Sequence, residues 1–363
     1  MRAAHKAAPD KAPGINGVTN RALRQLVRVA SHHVRSLFNR CIQEGIQPSH
    51  FKKAATIMLR KPGKKDYSDP SSFRPIALLD TLGKVLESII SERLRYAVET
   101  HGTLPGTQMG ARRQRSVDTA LQLITEKVHT IWSGQKKRVA SLLSLDVSGA
   151  LDNVSHTRLL HNMRKRRVPI RLLNWVEDFL KERRTTLTIG GYTMGERPAD
   201  VGIPQGSPLP PVLYLFCNAD LLEQCDDIKW RVSATGFVDD VNILTYGEST
   251  ERNCRVLGQV YDRREQWARA HGTKSAEKKH ELIHFSRTPK RFNTSAGMTL
   301  AGHVVDAKPD IRVLGVQLDS KLRWKAHLRQ VEAKLVIRHK GASIIESSVF
   351  GTSMYAGNAS TRR

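Results

Sequence analysis

A fully apolar segment that runs directly into an acidic residue constrains the fold of this chain more than any other feature. Residues 139–147 have the apolar character of a buried strand, and Asp146 lies at the carboxyl end of that segment. A carboxylate is costly to bury alone, and a metal ion is one partner that offsets the cost. The sequence therefore predicts a sheet that delivers a carboxylate to a fixed position at its edge.

A second acidic position lies between two apolar segments. Residues 232–237 and 241–246 are strand candidates, and Asp239 and Asp240 fall in the tight turn predicted between them. Because side chains alternate along an extended chain, only one of these two acids can point directly at Asp146. If the strands are neighbours, Asp146 and Asp239 can hold two magnesium ions about 3.5–4 Å apart, a geometry that serves nucleotidyl transfer.

The charge balance narrows the class of partner. The chain has 59 Lys and Arg residues against 34 Asp and Glu residues, which gives a net charge of +25. Such a charge repels itself unless a polyanion neutralises it, and nucleic acid rewards many phosphate contacts through counterion release. Basic composition also fits ribosomal, histone-like and membrane-surface proteins, so charge alone does not identify the chemistry.

Cysteine spacing and hydropathy exclude other classes of protein. The four cysteines lack the close paired spacing of tetrahedral zinc sites, and we expect buried free thiols in a reducing compartment. No segment approaches the roughly 18–20 consecutive apolar residues of a membrane span, and the N-terminus has no apolar signal core. We therefore expect a soluble, intracellular protein with no membrane partner.

The remaining periodicity predicts an α+β fold. Apolar residues at three- and four-residue steps predict one amphipathic helix from about residue 23 to a stop at Gly45, and residues 51–79 predict a hairpin with a basic tip. Further predicted helices lie near residues 82–94, 117–131, 155–166, 169–182 and 208–225, with a long helix that places Leu257, Val260, Tyr261, Arg264 and Trp267 on one side. A hairpin near 185–201 and strands near 279–285 and 311–318 complete a pattern without regular βαβ alternation.

Three short motifs resemble, in the same order, consecutive active-site motifs of non-LTR retrotransposon reverse transcriptases. They are Leu145-Asp146-Val147-Ser148-Gly149-Ala150, Gly202-Ile203-Pro204-Gln205-Gly206-Ser207-Pro208-Leu209 and Phe237-Val238-Asp239-Asp240. The match extends through Lys11-Ala12-Pro13-Gly14, Phe73-Arg74-Pro75-Ile76, Gln108-Met109-Gly110, Glu281-Leu282-Ile283-His284-Phe285 and Leu314-Gly315-Val316-Gln317-Leu318-Asp319. The resemblance covers roughly residues 10–330, and fungal LINE-like elements of the Tad type are the suspected kin.

The resemblance implies a role for each matching residue. Asp146, Asp239 and Asp240 would be catalytic, and Asp146, Val147 and Asp239 would bind two Mg²⁺ ions, with Mn²⁺ as an alternative metal. Nucleotide contacts are implied for Lys61, Arg74, Leu151, Gln205, Gly206 and Lys279, with Lys278 an equally plausible occupant of the last position. Primer and template contacts are implied for Gly110, Ser207, Pro208, Leu314 and Gly315.

The resemblance also implies an architecture and a reaction. The fold would be a right-hand polymerase in which residues 1–138 form an N-terminal extension and fingers, 139–320 the palm, and 321–363 the start of a truncated thumb. The enzyme would be an RNA-directed DNA polymerase that extends the 3′-hydroxyl of a DNA primer on an RNA template with dNTPs, in the nucleus. The oligomeric state is not indicated.

Two departures leave alternatives open. Leu151 stands where the family usually has Phe or Tyr, a ring that excludes the 2′-hydroxyl of a ribonucleotide, and Pro210-Pro211 replaces the usual Ser-Pro. With the early end of the thumb, these departures also fit a catalytically decayed, truncated retroelement copy that only binds nucleic acid. A template-dependent polymerase that makes RNA, or a group II intron-type maturase, matches the motifs less well.

Overall fold

The computed structural model describes residues 2–272, 274–275 and 279–336. The helices are α1 Arg2–Lys6, α2 Asn20–Val29, α3 Ser31–Glu44, α4 Thr81–His101, α5 Val117–Ser133, α6 His156–Lys165, α7 Ile170–Leu180, α8 Pro210–Cys225 and α9 Thr250–His271. The strands are β1 Lys53–Arg60, β2 Phe73–Leu79, β3 Val139–Leu145, β4 Val147–Ser148, β5 Arg184–Ile189, β6 Tyr192–Pro198, β7 Val232–Phe237, β8 Asp240–Gly247, β9 Lys274–Ser275, β10 Glu281–Phe285, β11 Met298–Leu300, β12 His303–Val305, β13 Asp310–Val313 and β14 Val316–Asp319. Residues 325–336 are also helical. These elements confirm the predicted α+β class.

The single helix predicted to end at Gly45 is wrong, because the segment forms two helices. Ala30 leaves the helical conformation at φ −119° and ψ 33°, which separates α2 from α3. Leu23 of α2 and Val34 of α3 are both buried although they are eleven residues apart, close to three whole helical turns. The apolar spacing therefore continues in phase across the break, and periodicity cannot reveal it. The predicted stop is confirmed, since Gly45 adopts the left-handed conformation at φ 70° and donates to the Cys41 carbonyl.

The first sheet has four strands in the order β2-β1-β5-β6. The predicted basic hairpin of residues 51–79 is confirmed as the antiparallel pair β1 and β2, and the hairpin near 185–201 is confirmed as β5 and β6. Strand β5 joins β1 in parallel, so the two hairpins form one sheet despite their separation in sequence. The sheet carries Arg74 and the start of the loop at Lys61 on one hairpin.

The second sheet has the order β10-β3-β8-β7 and places both acidic positions at one end. Strand β3 pairs antiparallel with β8 and ends with Leu145 opposite Val241. Strands β7 and β8 form a hairpin in which Phe237 pairs with Asp240. The predicted neighbour relation between the strand that precedes Asp146 and the hairpin that carries Asp239 is therefore confirmed.

Helices cover both faces of this second sheet. Apolar residues of α8 and α9, including Leu222, Leu257 and Tyr261, pack on one face with Leu143 and Ile243. On the other face, α5 and the β13–β14 hairpin pack against alternate residues of β3 and β10; these residues are Leu121, Ile124, Val128, Leu142, Ile283, Phe285, Ile311 and Leu318. Because alternate residues of a strand point to opposite faces, one strand supplies both cores and its carboxyl end is held rigidly.

Three of the four cysteines are buried, and Cys217 is partly buried. All four cysteines are free, and burial raises the pKa of the Cys254 thiol to about 11. No helix of the described ranges combines the length and the apolar character needed to cross a membrane.

Candidate active site

Asp146 follows the last residue of β3 and is half-buried. Its carboxylate accepts a hydrogen bond from the Nζ atom of Lys279 at 2.8 Å, and the lysine side chain is 60% exposed. An ion pair this open to solvent contributes little to stability. Lys279 thus lies beside the first acid, its contact with a nucleotide stays a prediction, and Lys278 lies outside the described residues.

Asp239 lies in the two-residue connection between β7 and β8, where Val238 adopts φ 56°. A β-branched residue rarely adopts a positive φ, so this turn is strained. Asp240 begins β8, and extending the β3–β8 register by one residue places it across from Asp146. Asp239 therefore lies in the turn itself, and Asp240 lies at the start of the adjoining strand.

The acids at this end of the sheet affect one another. Burial raises the pKa of Asp239, and the nearby negative charge of Asp146 raises it further. The side chain of Asp239 nevertheless remains accessible to solvent. Lys279 and Arg74 act in the opposite direction. Burial, followed by the charges of Asp239 and Asp146, raises the pKa of Asp240 to about 6. The site holds an excess of negative charge that a cation would relieve.

The donor set fits magnesium better than a tightly coordinated metal. Within residues 2–272, 274–275 and 279–336, no group of three or more His, Cys, Asp and Glu side chains is arranged to hold a metal ion. Magnesium, however, usually binds through one or two carboxylates together with substrate phosphates and water. Asp146 and Asp239 match that set, and Val147, a valine on β4, could add only its backbone carbonyl oxygen.

The first sheet brings two cationic residues toward this end of the cleft. Arg74 is exposed on β2, and its positive charge opposes the pKa increase of Asp239, so the two side chains are close enough to interact. Lys61 follows β1, and its Nζ atom donates to the Ser71 carbonyl oxygen at 2.9 Å. Arg74 therefore acts electrostatically on Asp239, whereas Lys61 is held by the loop of its own hairpin.

The loop of residues 205–207 packs against strand β2 of the first sheet. Gly206 adopts φ 127°, and a Cβ atom there would lie 2.4 Å from the Ala77 carbonyl oxygen of β2. The Gln205 backbone carbonyl accepts from Ala77 at 2.6 Å, and its side-chain amide donates to Asp152 at 2.7 Å. Only glycine fits such a close approach at that φ. Gly206 thus allows the backbone of this loop to lie directly against strand β2.

Ser207 is held by a buried acid of helix α4. Its hydroxyl donates to the Oε2 atom of Glu87 at 2.6 Å, and Glu87 on α4 is completely buried. Burial raises the pKa of the Glu87 carboxyl group, and the positive charge of Arg183 counteracts that rise. Pro208 accepts from the Ser91 hydroxyl at 3.3 Å. The sequence analysis missed Glu87, whose only sequence signal is an acid on the apolar side of α4.

The two sequence departures are accommodated by the backbone. Leu151 is half-buried beside the first acidic strand, and its carbonyl accepts from the Ile203 amide at 2.8 Å. Pro210 and Pro211 occupy the first turn of α8, where backbone N–H groups are not needed for the helix. The helix then continues to Cys225 without interruption.

Gly110 lies behind the acidic turn rather than in the open cleft. It is buried, and a Cβ atom there would lie 2.6 Å from Val238 Cγ2 and 2.7 Å from the Val238 nitrogen. The neighbouring Gln108 side chain is also buried and donates to Asn218 of α8, which in turn donates to the Val238 carbonyl at 2.6 Å. Gln108 was noted only as part of a motif, and Asn218 was missed.

Leu314 and Gly315 connect β13 to β14 with positive φ values of 49° and 89°. Two such residues in a two-residue connection are typical of a type I′ hairpin turn. The hairpin packs in the same core as β10 and α5, on one face of the second sheet. The part of the predicted thumb beyond residue 336 lies outside the described residues.

The sequence pattern of the family described as reverse transcriptase (RNA-dependent DNA polymerase) matches residues 59–318. The chain belongs to the reverse transcriptase family. The matched segment contains the whole second sheet, strands β2, β5 and β6 of the first sheet, the two metal-ligand candidates and the loop at Gly206. The expected family and the right-hand polymerase fold are thereby confirmed.

Relatives of this chain are polymerases of non-LTR retrotransposons. The RNA-directed DNA polymerase from mobile element jockey of Drosophila melanogaster is 30% identical over 327 residues, which are 89% of this chain and 35% of that protein. The probable RNA-directed DNA polymerase from transposon X-element of the same fly is 28% identical over 90% of this chain and 35% of its own length. This chain thus spans about a third of these relatives, and the Tad-type assignment stays a prediction.

A solved structure shows the same fold at low sequence identity. Apo telomerase from Candida tropicalis, truncated from its C-terminal domain, superposes with a TM-score of 0.51 at 10% identity. The similarity covers 74% of this chain and 54% of the telomerase chain. At this identity the likeness establishes the fold alone.

Proposed function

We propose that this chain catalyses RNA-directed DNA synthesis by nucleotidyl transfer to a primer 3′-hydroxyl. The observation that carries the proposal is the placement of Asp146 and Asp239 at one end of the second sheet, where the charge of Asp146 raises the pKa of Asp239. Two Mg²⁺ ions bound there would activate the attacking hydroxyl and stabilise the leaving phosphate. Asp146, Asp239 and the Val147 carbonyl would hold them, and Asp240 would support the same turn.

Basic residues near the acids suit an incoming dNTP. Arg74 would pair with triphosphate oxygens through its planar guanidinium group, and Lys61 would contribute from the same hairpin. Lys279 would donate toward the leaving pyrophosphate after it leaves Asp146, a movement that costs little because the ion pair is exposed. Gln205, Gly206 and Leu151 would line the nucleotide position.

The remaining predicted contacts would bind the duplex. Gly206 brings the backbone close to the β2 strand, and we propose that Ser207 and Pro208 border the template while Leu314 and Gly315 border the primer end. Gly110 would act on the same duplex, or on the acidic turn that it contacts. The domain limits 1–138, 139–320 and 321–363 for fingers, palm and thumb are part of this proposal.

Primer extension tests the proposal. The wild-type chain should extend a DNA primer on an RNA template with dNTPs and Mg²⁺, whereas the Asp239→Ala and Asp146→Asn variants should not. Asp262→Ala, at an exposed position of helix α9, is the matched control for loss of an acid. All four proteins should bind the primer–template duplex in a salt-dependent manner.

The alternative of a decayed copy makes a distinct prediction. In that case the wild-type chain binds duplex with the same salt dependence but incorporates no nucleotide with either Mg²⁺ or Mn²⁺. Extension that persists in Asp239→Ala would instead show that the acids at this end of the sheet are not the metal ligands.

A further inference from the structure

The acidic turn is strained and needs external support. Val238, a β-branched residue, holds φ 56°, a conformation that costs on the order of 1–3 kcal/mol. A strained conformation persists only where the surrounding contacts over-determine it. The residues that contact Val238 from other elements are therefore candidates for fixing the position of Asp239.

Two buried amides connect this turn to helix α8. The Gln108 Nε2 atom donates to the Leu215 carbonyl at 2.9 Å and to the Asn218 Oδ1 atom. The Asn218 Nδ2 atom donates to the Val238 carbonyl at 2.6 Å. Gln108 is 0% exposed and Asn218 is 1% exposed, so water does not compete for these bonds.

The direction of this amide chain is fixed by its ends. The Val238 and Leu215 carbonyls can only accept, so the Asn218 amide must present its nitrogen to Val238 and its oxygen to Gln108. Gln108 must then present its nitrogen to both acceptors. A substitution that removes either amide therefore breaks the chain of hydrogen bonds. Rotation of the remaining amide cannot restore the lost bond.

The bond to Val238 bears directly on the catalytic acid. A peptide group is planar, so fixing the Val238 carbonyl oxygen also fixes the N–H of Asp239 on the other side of the plane. The amide chain therefore connects the interior of α8, through one peptide plane, to the carboxylate proposed to bind metal.

A second tether holds the segment that carries Gln108. The Met109 amide donates to the Gly236 carbonyl at 2.7 Å, and the Gly236 amide donates to the Thr107 carbonyl at 3.1 Å. Gly236 lies two residues before Val238 on β7. These two backbone hydrogen bonds hold Gln108 in place relative to the β7–β8 hairpin that its side chain supports.

We infer that Gln108 and Asn218 are positioning residues that hold the Val238-Asp239 turn in the geometry required for metal binding and nucleotidyl transfer. The inference rests on the proposed function for its catalytic part, but the constraint on the turn is a property of the metal-free protein. Removing a hydrogen-bonded partner behind a metal ligand typically costs about 10–100-fold in metal affinity or activity.

The variant Asn218→Leu tests the inference without adding charge, and Asn162→Leu is its matched control. Asn162 of α6 is 2% exposed and donates to the Phe216 carbonyl of α8 at 3.1 Å rather than to the acidic turn. Gln108→Leu, one bond further from the turn, gives a second variant if Asn218→Leu does not fold. Thermal unfolding of all variants establishes the folded fraction.

The first readout needs neither metal nor activity. Amide hydrogen exchange of a peptide that spans residues 232–241 should accelerate about tenfold in Asn218→Leu, because a buried hydrogen bond to the turn is lost. Asn162→Leu should leave exchange in that peptide unchanged. Equal exchange in the Asn218 and Asn162 variants would overturn the inference, whatever their activities.

The second readout is the Mg²⁺ dependence of single-nucleotide incorporation. The half-saturating Mg²⁺ concentration should rise about tenfold in Asn218→Leu and less in Gln108→Leu, with duplex affinity unchanged. A merely structural effect would lower the active fraction without moving the Mg²⁺ midpoint, and would refute the positioning role. Absence of incorporation in the wild type refutes the proposed function, while the exchange experiment still decides whether the amides hold the turn.

Discussion

Adding one methyl group at Gly110 should displace the acidic turn without removing any functional group. In Gly110→Ala, the new Cβ atom would lie 2.6 Å from Val238 Cγ2 and 2.7 Å from the Val238 nitrogen. Comfortable carbon contacts are about 3.5–4.0 Å, so the overlap is on the order of 1 Å. The Cγ2 atom could rotate away, but the backbone nitrogen cannot, and Met109 is tied to Gly236 at 2.7 Å. The turn itself must therefore move.

A displacement of that size has a calculable consequence. Overpacking of a buried site costs about 1–3 kcal/mol, which a protein with ordinary stability tolerates. Misplacement of a catalytic group by about 1 Å can lower the rate about 100-fold. We expect Gly110→Ala to fold, to melt at a lower temperature, and to lose about 100-fold in the single-turnover rate of nucleotide incorporation.

The assay separates this effect from a role in duplex binding. Single-turnover incorporation is measured at saturating dNTP and Mg²⁺, with duplex affinity measured separately in the absence of metal. Gly106→Ala in the same loop is the control, because nothing lies within 4 Å of its added Cβ atom. An incorporation rate within about threefold of that control would refute the overlap argument. A loss of duplex affinity with an unchanged rate would show that Gly110 contacts primer or template.

Three further predictions concern stability, pH and sugar selection. Ser207→Ala should destabilise the chain by about 1–3 kcal/mol in chemical denaturation because Glu87 loses a buried hydrogen-bond donor. Ser71→Ala, which breaks an exposed 2.6 Å hydrogen bond to Asp69, should cost far less, and equal losses in the two variants would contradict the burial argument. Burial lowers the pKa of His280 to about 4, so the protein should lose at most about 3 kcal/mol of stability as pH falls from 6.5 toward 4. His280→Phe should flatten this pH dependence when melting is measured at several pH values. An unchanged slope in the variant would show that His280 does not cause the dependence. Leu151→Phe should increase discrimination against ribonucleotides by about tenfold or more in paired incorporation assays with deoxy- and ribonucleotides, and unchanged discrimination would exclude this position from sugar selection.

The elements that periodicity predicted are those whose burial is one-sided or complete. Strand β3 and helix α9 fall where their apolar patterns place them, and Arg264 is buried on the predicted side of α9 at 1% exposure. The break at Ala30 was invisible because the buried residues on either side stay in helical phase. The parallel contact between β1 and β5 was also beyond prediction, since it joins Ala54 to Thr185 across a long intervening chain.

The candidate site likewise contains some residues that the sequence could predict and others that it could not. Asp146 and Asp239 could be found because each follows an apolar segment, and their convergence required only that the two strands be neighbours. Their supports could not be found by local reasoning, because Glu87 lies 120 residues from Ser207 and Gln108 lies 110 residues from Asn218. A buried polar residue has no periodic signature, and its partner is known only when the chain is folded.

The dependence of Asp239 on distant supporting residues bears on whether the departures from the family pattern disable the site. Pro210 and Pro211 begin the helix that carries Asn218, so a disrupted α8 would release Val238 while every motif stayed intact. Both prolines occupy the first turn, where no intrahelical donor is lost, and Asn218 lies two turns further along with its bond to Val238 made at 2.6 Å. The helix therefore places Asn218 against the turn despite the prolines, which favours retained geometry at Asp239, and the effect of Leu151 on sugar selection is what the Leu151→Phe variant tests.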